Sequence, residues 1–257
     1  MKLAQNKFTR AIAAGDKQIG LWISLASPFV AEVTAPAGYD WALIDMEHSP
    51  NDYFTVLGQL QAFAATSTTA IVRPEWNNPV IVKRLLDLGA PGLLFPMIQT
   101  VEEAQKAVSA TRYPPHGIRG VSGATRATKF GRVSDYVARV EHETTVILQL
   151  ETAAAVGRAI DIASVDGVSG VFFGPADIAA DIGLVGQPMH PDVWDLIKLA
   201  AQALIAKGIP VGTLVMDTAF AAELLNDGFT FVACASDSSL LAKASDAALA
   251  AVKDALE

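Results

Sequence analysis

Glu151 and Asp177 each follow closely on a short apolar run, TVILQL and GVFF, at points where a strand-like stretch gives way to a helical one. If those runs are neighbouring parallel strands, roughly 5 Å apart, the two carboxylates can face one pocket. Facing carboxylates repel unless a proton or a cation lies between them, and an all-oxygen site suits Mg²⁺, Mn²⁺ or Co²⁺. An ion with only two protein ligands keeps positions for a bidentate substrate and for water. The same two residues also suit helix capping, Glu151 for the helix beginning at Thr152 and Asp177 for the next one, and position alone does not choose between these readings.

Arg73 ends the run TAIVR, and an unpaired guanidinium at the mouth of a buried sheet is costly. It needs an anion. Asp45, Glu47 or Glu151 could supply one in a structural pair, as could the carboxylate or enolate oxygen of a substrate. The string DMEH sets His48 three residues after Asp45. An aspartate within reach raises the basicity of an imidazole and fixes its tautomer, as a general base requires, whereas a lone loop histidine more simply faces solvent. His116, His142 and His190 read as structural. No lysine falls on a strand-like run, so a Schiff-base route lacks its amine. Carbanion chemistry would then need a metal, which favours the metal reading of Glu151 and Asp177.

Gathering such residues requires a scaffold that brings many strand ends together. The runs IGLWIS, WALID, TAIVRP, GLLFPM, TVILQLE, GVFFGP, PVGTLVM and FTFVACA are eight strand candidates separated by Ala- and Leu-rich segments of helical period. Continuous apolar runs mark parallel strands covered on both faces, and eight strand–helix repeats in a chain of this length favour a closed (β/α)₈ TIM barrel. Helices are expected over 28–38, 51–65, 77–89, 101–111, a pair of segments around 133–142, then 152–163, 191–207, 217–227 and 238–255. Ser27, Asn78 and His190 precede prolines suited to a first helical turn. Segments 112–132, with five Arg or Lys and four Gly, and 174–190 are too irregular for simple connections and are candidate active-site walls.

Composition narrows the function classes. The chain has 257 residues, 51% of them hydrophobic, enough for one domain over 1–257. A net charge of −8 disfavours nucleic acid and anionic membranes as partners. The first residues lack the apolar core of a signal peptide, and no run approaches the ~20 apolar residues of a membrane span, so a cytoplasmic protein is expected. The single Cys234, in FVACA, reads as a buried structural thiol. Neither GxGxxG nor GxxxxGK[ST] occurs, and no organic cofactor is expected.

The strings GLWISLASPFVAEVTAPAGYDWALIDMEHSPND, IVRPEWN, GAPGLLFPMIQTVEEAQKAV, RYPPHGIRGVSG, LQLET and GVFFGPADIAADIG, in that order, resemble the HpcH/HpaI-type aldolases, among them the hydroxyoxoheptanedioate, dehydrodeoxyglucarate and ketodeoxyrhamnonate aldolases. The resemblance spans nearly the whole chain. It implies a barrel of the phosphoenolpyruvate/pyruvate-domain type and a class II aldolase that cleaves 4-hydroxy-2-oxo acids to pyruvate, or a close 2-oxo acid, and an aldehyde. It implies a divalent metal on Glu151 and Asp177 that pyruvate chelates, Arg73 at the enolate oxygen, and an Asp45–His48 dyad handling the hydroxyl proton. Trp22, Gln149 and Leu214 would line the pocket, and the backbone around Gly174, Pro175, Ala176 and Asp177 would receive the pyruvate carboxylate. It further implies a homohexamer in which the last helix packs across a neighbouring barrel and Asp87 reaches the adjoining subunit's site. Met46, Ser122 and His116 depart from the commoner motifs, which bears on the choice of aldehyde. A citrate-lyase-like or malyl-CoA-type lyase is the alternative on the same scaffold, and it would need basic contacts for a thioester that only the 112–132 segment offers.

Overall fold

The computed structural model describes residues 1–256. Eight strands, β1 (Gln18–Ile23), β2 (Trp41–Asp45), β3 (Thr69–Arg73), β4 (Gly92–Phe95), β5 (Thr145–Leu150), β6 (Gly170–Phe173), β7 (Val211–Leu214) and β8 (Phe231–Ser236), pair in parallel in chain order. β8 returns to β1, which closes the barrel that the alternating pattern implies. The helices are α1 (Lys7–Ala14), α2 (Pro28–Thr34), α3 (Tyr53–Phe63), α4 (Pro79–Asp87), α5 (Val101–Thr111), α6 (Tyr136–Glu143), α7 (Ala153–Val156), α8 (Ala159–Ala163), α9 (Pro175–Asp181), α10 (Pro191–Ile205), α11 (Thr218–Asn226) and α12 (Asp237–Asp254). No helix among the described residues is long and apolar enough to cross a membrane.

The two-residue period of the strands divides the core in two. Ala42, Ile44, Val72, Leu93, Leu148 and Val171 belong to one cluster, which packs against the helices. Their sequence neighbours Leu43, Ile71, Leu94, Ile147 and Phe172 form a separate cluster inside the barrel. Size is matched across this interior. A Cβ on Gly20 would lie 2.2 Å from the Trp41 ring and one on Gly212 would lie 2.1 Å from Phe231, so glycines on some strands make room for large rings on others.

Four elements differ from the sequence reading. α1 was not expected; Asn6 caps it by accepting the Thr9 amide, and Gly15, at φ 80°, ends it in the left-handed region. Phe8 and Ile12, four residues apart, share one face, and Phe8 stacks on Trp41 with ring centroids 5.4 Å apart and meets Phe231 edge-on at 5.7 Å. The helix therefore plugs the end of the barrel where the strands begin. The helix expected over 152–163 breaks at Gly157 into α7 and α8, the pair around 133–142 is the single α6, and the irregular stretch after β6 contains α9. Cys234 is half-buried rather than buried.

α12 leaves its own barrel almost at once. The Asp237 carboxylate accepts the Ser24 amide and hydroxyl, both at 2.9 Å, and the Leu25 amide at 3.0 Å, which pins the first turn to the end of β1. From Leu240 onward every described residue is exposed, including Leu241, Leu249 and Val252.

Because Phe8 fills the barrel's lower end against two aromatic rings, Phe8→Ala should cost about 3–5 kcal/mol of folding stability by urea denaturation. A loss below about 1 kcal/mol would mean that α1 is not part of the barrel core.

Candidate active site

β2 and β3 are in register such that Asp45 lies directly beside Arg73, and both have the parity of the interior cluster. They meet at the carboxyl ends of the strands, where such barrels build their sites. Arg73 Nε donates to Asp45 Oδ1 at 2.8 Å and a terminal nitrogen donates to Oδ2 at 2.7 Å, a two-pronged pair shielded from solvent. The other terminal nitrogen lies 2.9 Å from Glu47 Oε2. The Trp22 ring supports the guanidinium at 4.8 Å, and its indole N–H donates to Asp45 Oδ2 at 3.2 Å. Burial pushes the Asp45 carboxyl up, yet the hydrogen bonds and charge of Arg73, with help from Trp22, hold it below its usual range.

The loop after β2 is tied back on itself. The Glu47 amide donates to Asp45 Oδ1 at 3.0 Å, and the Asp45 carbonyl accepts from Asn51 at 2.6 Å and from the Ser49 hydroxyl. This loop corrects the expected Asp45–His48 dyad. Both Asp45 oxygens are engaged by Arg73, Trp22 and backbone amides, and His48 reaches Asp45 only through its own amide, at 3.4 Å. The exposed imidazole instead has Glu47 beside it, Nε2 to Oε2 3.8 Å. A fork of fixed donors directly across the strand register outcompetes a flexible ring three residues along the chain.

Glu47 is the participant that sequence reasoning undervalued. It stands between Arg73 and His48, and burial raises its carboxyl; Arg73 and His48 oppose that rise, while Asp45 and Asp177 add to it. Its signal was present in DMEH, but only as one of three possible partners for Arg73.

Glu151 follows β5 and is buried. Its Oε2 accepts the Met97 amide at 2.7 Å and its Oε1 accepts from the side-chain amide of Gln149. Met97 holds φ at 52°, a strained conformation for a residue with a Cβ, and that strain aims its N–H at Glu151. A Cβ at Gly174 would come within 2.9 Å of Glu151 Cγ, so only glycine lets the carboxylate lie against β6's end. Burial, with the charges of Glu47 and Asp177, pushes Glu151 up to about 8 against the opposing pull of the Met97 amide and Arg73.

Neither acid caps a helix. Thr152 caps α7 by accepting the Ala155 amide, and Gly174 stands at the N-cap of α9, leaving Asp177 exposed in the first turn. Pro175 is buried beneath that turn and Ala176 is exposed beside Asp177. Leu214 packs on the cluster that holds Trp22 and Phe172, forming an apolar side to the mouth. Gln149 Oε1 is buried with no hydrogen-bond donor, while Glu47 Oε2 meets Arg73 as an ion pair without hydrogen-bond alignment. Asp87 stands apart, at the far end of α4, where Arg119 donates to its Oδ1 at 2.8 Å.

The mouth thus brings together four carboxyl groups: Asp45, Glu47 and Glu151 feel the charge of one guanidinium, and Asp177 adds its negative charge to Glu47 and Glu151. No three His, Cys, Asp or Glu among the described residues form a ready ion-binding group, but Glu151 and Asp177 supply hard oxygen donors in a region short of positive charge. No strand carries a lysine that could form a Schiff base.

Comparison with known proteins gives a consistent result. Residues 18–244 match the family described as HpcH/HpaI aldolase/citrate lyase. The chain is 51% identical to a pyruvate aldolase of Rhizobium etli over 96% of its own length and 97% of the relative's. It is 47% identical to a 4-hydroxy-2-oxo-heptane-1,7-dioate aldolase of Salmonella dublin, covering 95% and 93% of the two chains. A crystal structure of a family protein from Burkholderia cenocepacia superposes with a TM-score of 0.93 at 39% identity, over 97% of this chain and all of that one.

The Glu151 shift has a signed consequence for stability. Its carboxyl moves from an ordinary 4.5 to about 8, so between those values the folded chain keeps a proton that the unfolded chain has released. In metal-free protein this contribution is complete below pH 4.5 and is lost as pH rises through about 8, with a slope of at most about 1.4 kcal/mol per pH unit. Glu151→Gln, which cannot ionise, should flatten the decline in urea-denaturation curves measured in EDTA across that window. Parallel curves for the two proteins would show that Glu151 titrates normally.

Proposed function

The chain belongs to the HpcH/HpaI aldolase/citrate lyase family of carbon–carbon lyases, and on that premise we propose that it is a divalent-metal-dependent aldolase that cleaves 4-hydroxy-2-oxo acids to pyruvate, or a close 2-oxo acid, and an aldehyde. The observation that carries this reading is the cluster of carboxylates around a single fixed guanidinium, with Glu151 driven to about 8 by its neighbours. Glu151 and Asp177 would hold Mg²⁺, Mn²⁺ or Co²⁺. The ion's charge would offset the acidic excess and, when bound, stabilise negative charge on the 2-oxo acid.

The chain's own residues divide the remaining work. His48, exposed at the mouth with Glu47 beside it, takes the proton of the C4 hydroxyl as the C3–C4 bond breaks. The electron pair of that bond moves onto the 2-oxo acid as an enolate, the aldehyde leaves, and protonation at C3 completes the 2-oxo acid. Arg73 presents a positive charge where the enolate oxygen develops; Asp45 and Trp22 fix its plane, so little reorganisation accompanies the step. The backbone of residues 174–176 would receive the substrate carboxylate at the start of α9, Gln149 would border it, and Trp22 and Leu214 would form the apolar wall.

The same reading includes a homohexamer in which α12 lies across a neighbouring barrel and Asp87 approaches the adjoining mouth. It is supported by a helix of 18 residues anchored only through its first turn, with Leu240, Leu241, Leu249 and Val252 uncovered.

A coupled pyruvate-release assay over a panel of 4-hydroxy-2-oxo acids, with malyl-CoA as the thioester control, tests the proposal. Activity should vanish in EDTA and return with Mg²⁺, Mn²⁺ or Co²⁺. Glu151→Gln should lose it through metal affinity, and Arg73→Lys, which loses the two-pronged fork, should fall on the order of 10²-fold in kcat. His48→Ala should lose cleavage by roughly 10²-fold or more while retaining pyruvate C3 proton exchange. Turnover that is indifferent to EDTA, or confined to malyl-CoA, would overturn the assignment.

A further inference from the structure

A large cavity lies at the opposite end of the barrel from the carboxylate cluster. It has a volume of about 740 Å³, within the range typical of small-molecule sites. Its floor is apolar: Leu60 and Phe63 from the end of α3, Ala70 from the start of β3, Ala90 before β4, and Val133 and Val140 from around α6. Residues 1–6 form one wall. They are strapped to the α6 region by the Leu3 amide on Asp135 at 2.8 Å, by Arg139 on the Leu3 carbonyl at 3.1 Å and by the Asn6 amide on Glu143 at 2.7 Å.

The charge around this apolar space is one-sided. Arg126, Lys129, Arg132 and Lys7 all line it, and none forms an ion pair among the described residues. Glu143 is the one carboxylate in the lining, and it is already engaged by Arg10, Arg139 and the Asn6 amide.

Arg126 is held in place. One terminal nitrogen donates to the Leu88 carbonyl at 2.7 Å, and the guanidinium lies so close to Gly89 that a Cβ there would meet it at 2.9 Å. Gly89 has φ 90°, so the chain turns through a conformation that makes room for the cation. Burial without a carboxylate partner lowers the Arg126 pKa, and a half-buried cation of this kind gains from an anion. The loop that carries it is strained as well, with Lys129 and Phe130 in succession at φ 48° and 57°, which sets Phe130 and Lys129 at the cavity's edge.

We propose that this cavity is a binding site for an amphipathic carboxylic acid, a medium-chain or aromatic acid whose apolar body fills the space between α3, β3 and α6 and whose carboxylate pairs with Arg126. The site is distinct from the barrel mouth and needs neither the metal nor the aldolase chemistry, so its test stands apart from that of the proposed function.

Isothermal titration of the full-length protein with octanoate and, separately, with octan-1-ol measures the headgroup and the chain independently. Octanoate should bind with one site per chain. Arg126→Met should weaken octanoate by roughly tenfold or more, the worth of a charge-assisted hydrogen bond, and leave octan-1-ol unchanged. Ala64→Trp, on an exposed position of the lining, should block both probes without disturbing the core, which keeps the test decisive if Arg126→Met unfolds. A crystal structure of the octanoate complex should place the carboxylate at Arg126. No octanoate binding up to its solubility, undiminished binding to Arg126→Met or Ala64→Trp, or a segment of a second copy filling the cavity would each overturn the proposal.

Discussion

A buried guanidinium cannot be left without anions, and a group of buried carboxylates cannot be left with too few cations; the barrel mouth is organised by the tension between these two requirements. Arg73 satisfies Asp45 through both of that residue's oxygens and takes Glu47 on its third edge. Nothing comparable serves Glu151, which relies on the Met97 amide and Gln149 while Glu47 and Asp177 press on it. A proton is one way to relieve that pressure and a divalent cation is another. An ion held there, as proposed, would compete with the proton for the same oxygens, which would link its affinity to pH.

Buried ion pairs often contribute little to stability compared with apolar packing of similar volume, so the Arg73–Asp45 pair is better understood as a device for position. The register of β2 against β3 sets the two Cα atoms side by side, the two-residue period turns both side chains inward, and the Trp22 ring limits movement of the guanidinium. Strain supplies the same kind of precision across the mouth. Met97 holds an unfavourable φ in order to deliver one amide, and Gly174 gives up its side chain so that Glu151 can approach.

The architecture was legible in the sequence because its signals are local. Apolar strands alternate with helical segments, and prolines follow Ser27, Asn78 and His190, each of which caps its helix. Asp45, Arg73, Gln149, Glu151 and Asp177 could be singled out because polar residues at the ends of apolar runs are few. What could not be read was which of several pairings prevails. The sequence offered Asp45 to both His48 and Arg73, and the register between two strands separated by more than twenty residues gives it to Arg73 and leaves Glu47 beside the imidazole. α1 escaped notice for a related reason: an eight-residue helix gains its meaning only from the Trp41 and Phe231 rings on which Phe8 rests, and those are distant in sequence.

The placement of Glu47 also changes what His48 needs from its surroundings. An aspartate bonded to the imidazole would fix one tautomer and share its proton; Glu47 at 3.8 Å, already in contact with Arg73, offers a weaker field and no fixed hydrogen bond. In the proposed reaction His48 would therefore be a solvent-facing base on a loop whose backbone is tied by Ser49 and Asn51. Such a base would be well placed to follow the C4 hydroxyl of substrates whose aldehyde halves differ in size, because its root is anchored and its ring is not. In that reaction the anchored partners, Arg73 and Glu151, would face the 2-oxo acid half, which does not vary. Rigidity and freedom would thus be divided between the two halves of the bond that the proposed reaction breaks, and the division begins with which neighbour claims the two oxygens of Asp45.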